Sequence, residues 1–228
     1  MIFMKSDYLG ILSSIKQDIE RYEISHINKP SLIIVTKSQS NKDIEKVVEA
    51  GNKCLGENYV DEAIKKIDFF KKRSLEWHFI GQIQSNKIKK ISKYFDWVQT
   101  ISSIKHAKLL NQACEGLSKK MNICIQVNID REQSKSGILV EDLDNLIVNI
   151  LPLNNLILRG LMAIPSKINA LKENINSYKI LRAEYDRLSS KYIHMDTLSI
   201  GMSNDYKLAL DNGSNMIRIG TLIFGNRK

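Results

Sequence analysis

Short apolar, β-rich runs alternate with helix-like stretches along this chain, and that alternation most restricts the folds open to it. Candidate strands lie at 32–37, 53–56, 77–81, 97–100, 123–129, 156–162, 197–201 and 216–219. Helical patterning falls at 41–50, 58–72, 85–93, 103–119, 140–150, 170–190 and 204–212. A further amphipathic helix over 5–27 precedes the first strand, with Tyr8, Leu9, Leu12, Ile15, Ile19 and Tyr22 on one face. Asn41 is the expected N-cap of the helix after the first strand, and Gly51 its stop. Strands that are apolar throughout and alternate with helices belong in a parallel sheet covered on both faces. Eight such units predict an α/β fold, a single (β/α)8 TIM barrel with an extra N-terminal helix. Each unit averages roughly 24 residues, the compact end for this barrel. An open doubly wound sheet is the competing arrangement, but no G-x-G-x-x-G turn follows the first strand. One domain over 1–228 is therefore expected.

Charge tests one class of function. The 228 residues include 34 Lys+Arg and 25 Asp+Glu, a net charge of +9. Clustered cations would serve a nucleic-acid backbone. Here Lys65-Lys66, Lys71-Lys72-Arg73, Lys89-Lys90 and Lys119-Lys120 are spread over separate stretches, as on solvated helix faces. A nucleic-acid partner is not expected. Cys54, Cys114 and Cys124 show no C-x-x-C spacing, and His26, His106 and His194 no ligand spacing. That argues for a reducing compartment, and against a disulfide framework or a zinc site. His78, between Trp77 and Phe79, reads as a hydrogen-bonded structural histidine. The first residues carry no signal-peptide core, and no apolar run approaches the ~20 residues of a membrane span. The expected location is the cytoplasm, with no membrane partner.

In a barrel of this type the working groups sit at the C-terminal ends of the strands. Lys37 closes the apolar run from Leu32 to Val35. Partial desolvation there would disfavour its ammonium, and a neutral amine is what attacks an aldehyde. Taken alone, Lys37 is equally a strand-end lysine reaching for water. After the seventh strand, Ile200-Gly-Met-Ser-Asn-Asp205 leads into a helix with Ser203 as its expected N-cap, where amides and dipole favour an anion. Gly220-Thr221 after the eighth strand adds amides and a hydroxyl. An ordinary capped helix and a packing glycine would explain either segment alone. Their coincidence at these two loops, where such barrels frequently hold phosphate, points to a phosphorylated ligand. Arg218 faces away from its apolar neighbours Ile217 and Ile219. If buried it needs an acceptor, either a ligand ring nitrogen or a nearby carboxylate. A permanently cationic Arg there would keep a pyridine nitrogen unprotonated and weaken it as an electron sink.

With these residues in hand, the chain resembles the pyridoxal phosphate homeostasis protein family. The likeness is carried by Val35-Thr-Lys-Ser, Gly56-Glu-Asn-Tyr-Val, Trp77-His-Phe-Ile-Gly-Gln-Ile-Gln-Ser-Asn-Lys87 and Val127-Asn-Ile with Ser134-Lys-Ser-Gly137. It continues through Leu158-Arg-Gly-Leu-Met-Ala-Ile-Pro165, Leu198-Ser-Ile-Gly-Met-Ser-Asn-Asp205 and Ile217-Arg-Ile-Gly-Thr-Leu-Ile-Phe-Gly225. The resemblance implies a single-domain barrel of the alanine-racemase N-terminal-domain type (fold type III), with pyridoxal 5′-phosphate held as a Schiff base on Lys37. It puts Ser203, Gly220 and Thr221 at the phosphate and Arg218 at the pyridine nitrogen. Asn58 would lie beside the cofactor, with Met162 and Ser199 in its wall. Ser134-Lys-Ser-Gly137 is equally explained as a plain turn. One departure follows Lys37, where Gln39-Ser40 stands in place of a Lys-Pro pair the family often carries.

The implied role is a carrier that serves intracellular cofactor homeostasis without catalytic turnover. It would act as a monomer in transient contact with cofactor-dependent apoenzymes. The alternative is an amino-acid racemase-like enzyme on the same barrel. Racemisation needs acid–base groups on both faces of the substrate. In two-domain racemases the second group involves an extra β domain and a partner subunit, for which these 228 residues offer no further segment.

Overall fold

A computed structural model describes residues 8–23, 30–166 and 175–225. Eight parallel strands, β1 Ser31–Val35, β2 Cys54–Glu57, β3 Glu76–Phe79, β4 Trp97–Ile101, β5 Met121–Val127, β6 Leu156–Ala163, β7 Thr197–Ser199 and β8 Met216–Ile219, close into a barrel in chain order. Around them lie α1 Tyr8–Glu23, α2 Asn41–Glu49, α3 Val60–Phe69, α4 Ile88–Tyr94 and α5 Ile104–Glu115. They are followed by α6 Leu143–Ile150, α7 Asn176–Ser189, α8 Tyr206–Asp211 and α9 Thr221–Phe224. The barrel expected from the alternation is the one observed. Residues 5–7 and 24–27 of the first expected helix, and 170–174 of the expected helix over 170–190, lie outside the described residues.

Each strand sends alternate side chains to opposite faces. Ile34, Leu55, Phe79, Val98, Ile123, Leu161 and Ile219 belong to one continuous buried core, which the inward faces of the helices complete. Ile33, Trp97, Cys124, Met162 and Met216 form a separate cluster from the opposite faces, inside the barrel. The seam is the pairing of β1 with β8, which sets Ile33 beside Arg218 and Ile34 beside Ile219. It brings the first and last strand ends to one rim.

Local capping corrects two expectations. Ser40, not Asn41, is the N-cap of α2; its backbone is extended and its Oγ accepts from the Asp43 N–H at 3.2 Å. Gly51 follows that helix at φ +83°, the left-handed stop that glycine adopts without strain. Ser203 does not cap a helix at 204. Residues 203–205 form a turn, α8 begins at Tyr206, and the Ser203 Oγ instead accepts from the Leu222 N–H of α9 at 3.1 Å. That bond ties the loop after β7 to the turn after β8. The N-terminal helix packs over the same region: the Tyr206 hydroxyl donates to Asp18 at 2.7 Å, and the Tyr8 and Phe224 rings meet at 5.8 Å.

Gly81, just past β3, sits where a Cβ would come within 2.0 Å of the Asn58 carbonyl oxygen. Gly81→Ala therefore has to displace backbone at the end of β2 and is expected to cost about 1–3 kcal/mol. A urea-unfolding midpoint equal to that of the parent would refute this close approach.

Candidate functional site

A cavity of about 530 Å³ opens at the C-terminal ends of the strands. Lys37, Asn58 and Met162 line it from the β1, β2 and β6 ends. Ser203, Arg218, Gly220 and Thr221 line it from the β7 and β8 side. Of the residues expected there, Ser199 alone is absent from the wall. It is fully buried behind Arg218, accepting from the guanidinium Nη1 at 2.6 Å and donating to Gln99 Oε1 at 2.7 Å.

Arg218 points into the barrel and is 3% exposed. Its second bond runs from Nη2 to the Ala163 carbonyl at 2.9 Å. Both acceptors are neutral, so the buried charge has no carboxylate in contact among the described residues. Burial lowers its pKa to about 10, which leaves it cationic at neutral pH. From Ser199 the hydrogen bonds continue down the barrel. Gln99 Nε2 meets His78 Nδ1 at 3.0 Å, and His78 Nε2 meets Glu76 Oε1 at 2.8 Å. Because Ser199 donates to the amide oxygen, Gln99 donates to Nδ1, and His78 carries its proton on Nε2 toward Glu76. His78 is thus the hydrogen-bonded structural histidine expected.

At that far end the Cys54 thiol also donates to Glu76 Oε1, at 3.6 Å. The cysteine, carboxylate and imidazole ligand atoms fall within 4.8 Å of one another. Linear spacing missed this group because it spans two strands. One carboxylate shared by two donors accounts for the arrangement. Burial pushes the thiol up to about 12, so it is protonated and donates to the carboxylate.

Lys37 occupies a turn just past β1, closed by the Gln39 N–H to the Thr36 carbonyl at 3.0 Å. Ser38 follows at φ +61°, a left-handed conformation costing a non-glycine residue about 1–2 kcal/mol. Its N–H donates to Glu62 Oε1 at 2.6 Å. Lys66 Nζ donates to the Thr36 carbonyl at 2.6 Å, to Glu57 Oε1 at 2.7 Å and to Glu62 Oε1 at 2.6 Å. The expectation of a solvated Lys65-Lys66 face is half wrong: Lys65 is exposed, whereas Lys66 is buried against β1 and β2. The i,i+4 spacing of Glu62 and Lys66 was the available signal. Burial raises the Glu57 carboxyl and the Lys66 ammonium opposes that rise.

The turns after β7 and β8 differ in what their polar groups leave unspent. The amides of Gly220 and Thr221 stand at the start of α9, where a helix supplies no internal acceptor. The Gly220 turn also passes close to β1, since a Cβ there would be 3.1 Å from the Val35 carbonyl oxygen. Asp205, in contrast, is spent internally: Oδ1 accepts from the Met202 N–H at 2.7 Å and Oδ2 from the Tyr178 hydroxyl at 2.5 Å.

A closed eight-strand barrel with a lysine at the β1 end and these two turns opposite defines the class. Residues 12–228 match the family model of the alanine racemase N-terminal domain. The chain is 39% identical over 224 residues to the pyridoxal phosphate homeostasis protein of Pasteurella multocida, covering 95% of this chain and 96% of that one. It is 40% identical over 200 residues to the Escherichia coli protein of the same name, covering 86% of each. PipY of Synechococcus elongatus with PLP bound superposes with a TM-score of 0.85 at 28% identity, over 96% of this chain and all of that one. The chain belongs to the pyridoxal phosphate homeostasis protein family. Alanine racemase of Clostridium difficile shares the fold, with a TM-score of 0.70 at 14% identity, and this chain spans 57% of its length.

Burial lowers the His78 pKa below its usual value near 6.5. The unfolded chain then takes up a proton that the folded chain resists, so stability falls as pH drops below that value. Replacing His78 with Gln is expected to flatten the loss of stability between about pH 7 and pH 5. Denaturant titrations showing the same slope in both proteins would assign the loss to other groups.

Proposed function

We propose that this chain binds pyridoxal 5′-phosphate as a Schiff base on Lys37 and carries it in the cytoplasm without catalytic turnover. The observation that carries this reading is the meeting of Lys37, the neutrally partnered Arg218 and the Ser203 and Gly220-Thr221 turns in one cavity. The names of the relatives and PipY with PLP bound support it. The residues present also fit such a group. Asn58 lines the cavity with a buried Oδ1 that has no hydrogen-bond partner among the described residues, and a ring hydroxyl would supply one.

The cofactor supplies an aldehyde that captures amines and a ring that delocalises electrons. Lys37 provides the amine. Ser203, Gly220 and Thr221 provide hydroxyl and amide donors for the phosphate. Arg218 donates toward the ring nitrogen, and its fixed charge disfavours protonation there. Ser199 orients Arg218 from behind, and Met162 forms the apolar wall.

Carriage is favoured over racemisation by what surrounds Lys37. The titratable residues lining the cavity, among those described, are Lys37, Asp205 and Arg218. Asp205 is engaged by Tyr178 and Met202, so among the described residues no second proton-transfer group lining the cavity stands ready. As a carrier it would act as a monomer and pass its cargo to apoenzymes by transient contact. A nucleic-acid role draws no support from any cavity residue.

Purified protein is expected to absorb in the near-visible, and borohydride reduction should fix a pyridoxyl adduct on Lys37 by peptide mass mapping. Lys37→Ala should abolish both signals while keeping the fold; an adduct on another residue would reassign the lysine. Arg218→Leu removes a buried donor and is expected to weaken retention by roughly tenfold or more and to shift the absorbance. An unchanged spectrum and affinity would remove Arg218 from the site. Sustained racemisation of any amino acid would favour the enzyme reading.

A further inference from the structure

Both peptide groups that flank Lys37 are held by one pair of side chains on α3. The Lys66 ammonium donates to the carbonyl of Thr36, immediately before the lysine. The Glu62 carboxylate accepts from the N–H of Ser38, immediately after it. The two side chains bond to each other, and Lys66 is anchored to β2 through Glu57, whose Oε1 also accepts from the Thr36 hydroxyl at 2.6 Å. We propose that Glu62 and Lys66 are positioning residues that lock the turn carrying Lys37 in the geometry from which its amine attacks the cofactor aldehyde. This rests on the carrier reading above. In that step nitrogen bonds to the aldehyde carbon, and the carbonyl oxygen departs as water with the two amine protons.

Three features separate this from an ordinary salt bridge. Lys66 and Glu57 form a buried ion pair, which adds little stability over an apolar pair of the same shape, so its presence under β1 asks for another reason. Its hydrogen bonds reach the main chain on either side of Lys37. Finally, Ser38 is in the left-handed region, where a turn of this kind usually has glycine, and Gln39-Ser40 supplies no proline to stiffen it. The Glu62 bond to the Ser38 N–H opposes relaxation of that strained peptide. Preorganisation of a reacting group by such supporting bonds is what sets its approach to a partner.

Glu62→Ala tests this cleanly, because Lys66 keeps Glu57 and the Thr36 carbonyl and no buried charge is stranded. In the cofactor-free chain, the Ser38 amide is expected to lose hydrogen-exchange protection. On addition of pyridoxal 5′-phosphate, imine absorbance should grow roughly tenfold more slowly than in the parent. Glu62→Gln retains an acceptor and should keep most of the rate. Adding Ser38→Gly to Glu62→Ala should restore most of it, since glycine takes the left-handed conformation unaided. A folded Glu62→Ala protein that loads at the parental rate overturns the proposal, as does a slow one that Ser38→Gly leaves slow. A parent protein that takes up no cofactor overturns the carrier reading itself, a result distinguishable from the other two.

Discussion

Hydrogen bonds between β1 and β8 close the sheet, and the site exists only because of that seam. Eight strands laid open at about 4.8 Å spacing would hold the ends of β1 and β8 roughly 30 Å apart. Closed, the barrel pairs Ile33 with Arg218, and the turn after β8 comes into contact range of the Val35 carbonyl. The amine of Lys37, the guanidinium of Arg218 and the amides after β8 then share one cavity. Ser203 adds the loop after β7 through its bond to the Leu222 N–H.

Inside the barrel the protein trades apolar filling for hydrogen bonds. Ser199, Gln99, His78 and Glu76 form a file from Arg218 to the opposite mouth, in which each donor finds an acceptor. Buried polar groups are tolerable when satisfied in this way and costly when they are not. Four buried polar atoms break that pattern among the described residues: Trp97 Nε1, His106 Nδ1, Asn58 Oδ1 and Glu57 Oε2. The last two lie at the end of β2, one beside the cavity and one in the network under the Lys37 turn. Arg218 itself is held by neutral groups, a poor arrangement for stability that leaves its charge available to a ligand.

Much of this was legible in the chain. The strand–helix alternation identified all eight strands, because apolar β-rich runs and helical spacing are local patterns. Residues at strand ends, such as Lys37, Asn58, Gly220 and Thr221, could be grouped because the barrel puts all strand ends on one face. Depth was not legible. The resemblance put Ser199 in the cofactor wall, yet it stands behind Arg218. Ser203 looked like a helix cap, but the start of α8 depends on a turn whose bonds are made to Met202 and Asp205. Cys54, Glu76 and His78 meet across neighbouring strands, which no spacing rule within one segment can register.

Sequence alone determined the class of fold, the order of its elements and the set of residues delivered to the working rim. These follow from periodicity and from main-chain preferences, both local in the chain. Only the tertiary structure decided which of those residues meet, which are screened, and which of two adjacent lysines is buried. Lys65 and Lys66 are indistinguishable as neighbours in a basic stretch. The packing of α3 against β1 and β2 turns one to water and buries the other beside Glu57 and the Thr36 carbonyl. That outcome depends on contacts between residues about 10 to 30 positions apart, whose geometry is set only when the barrel closes.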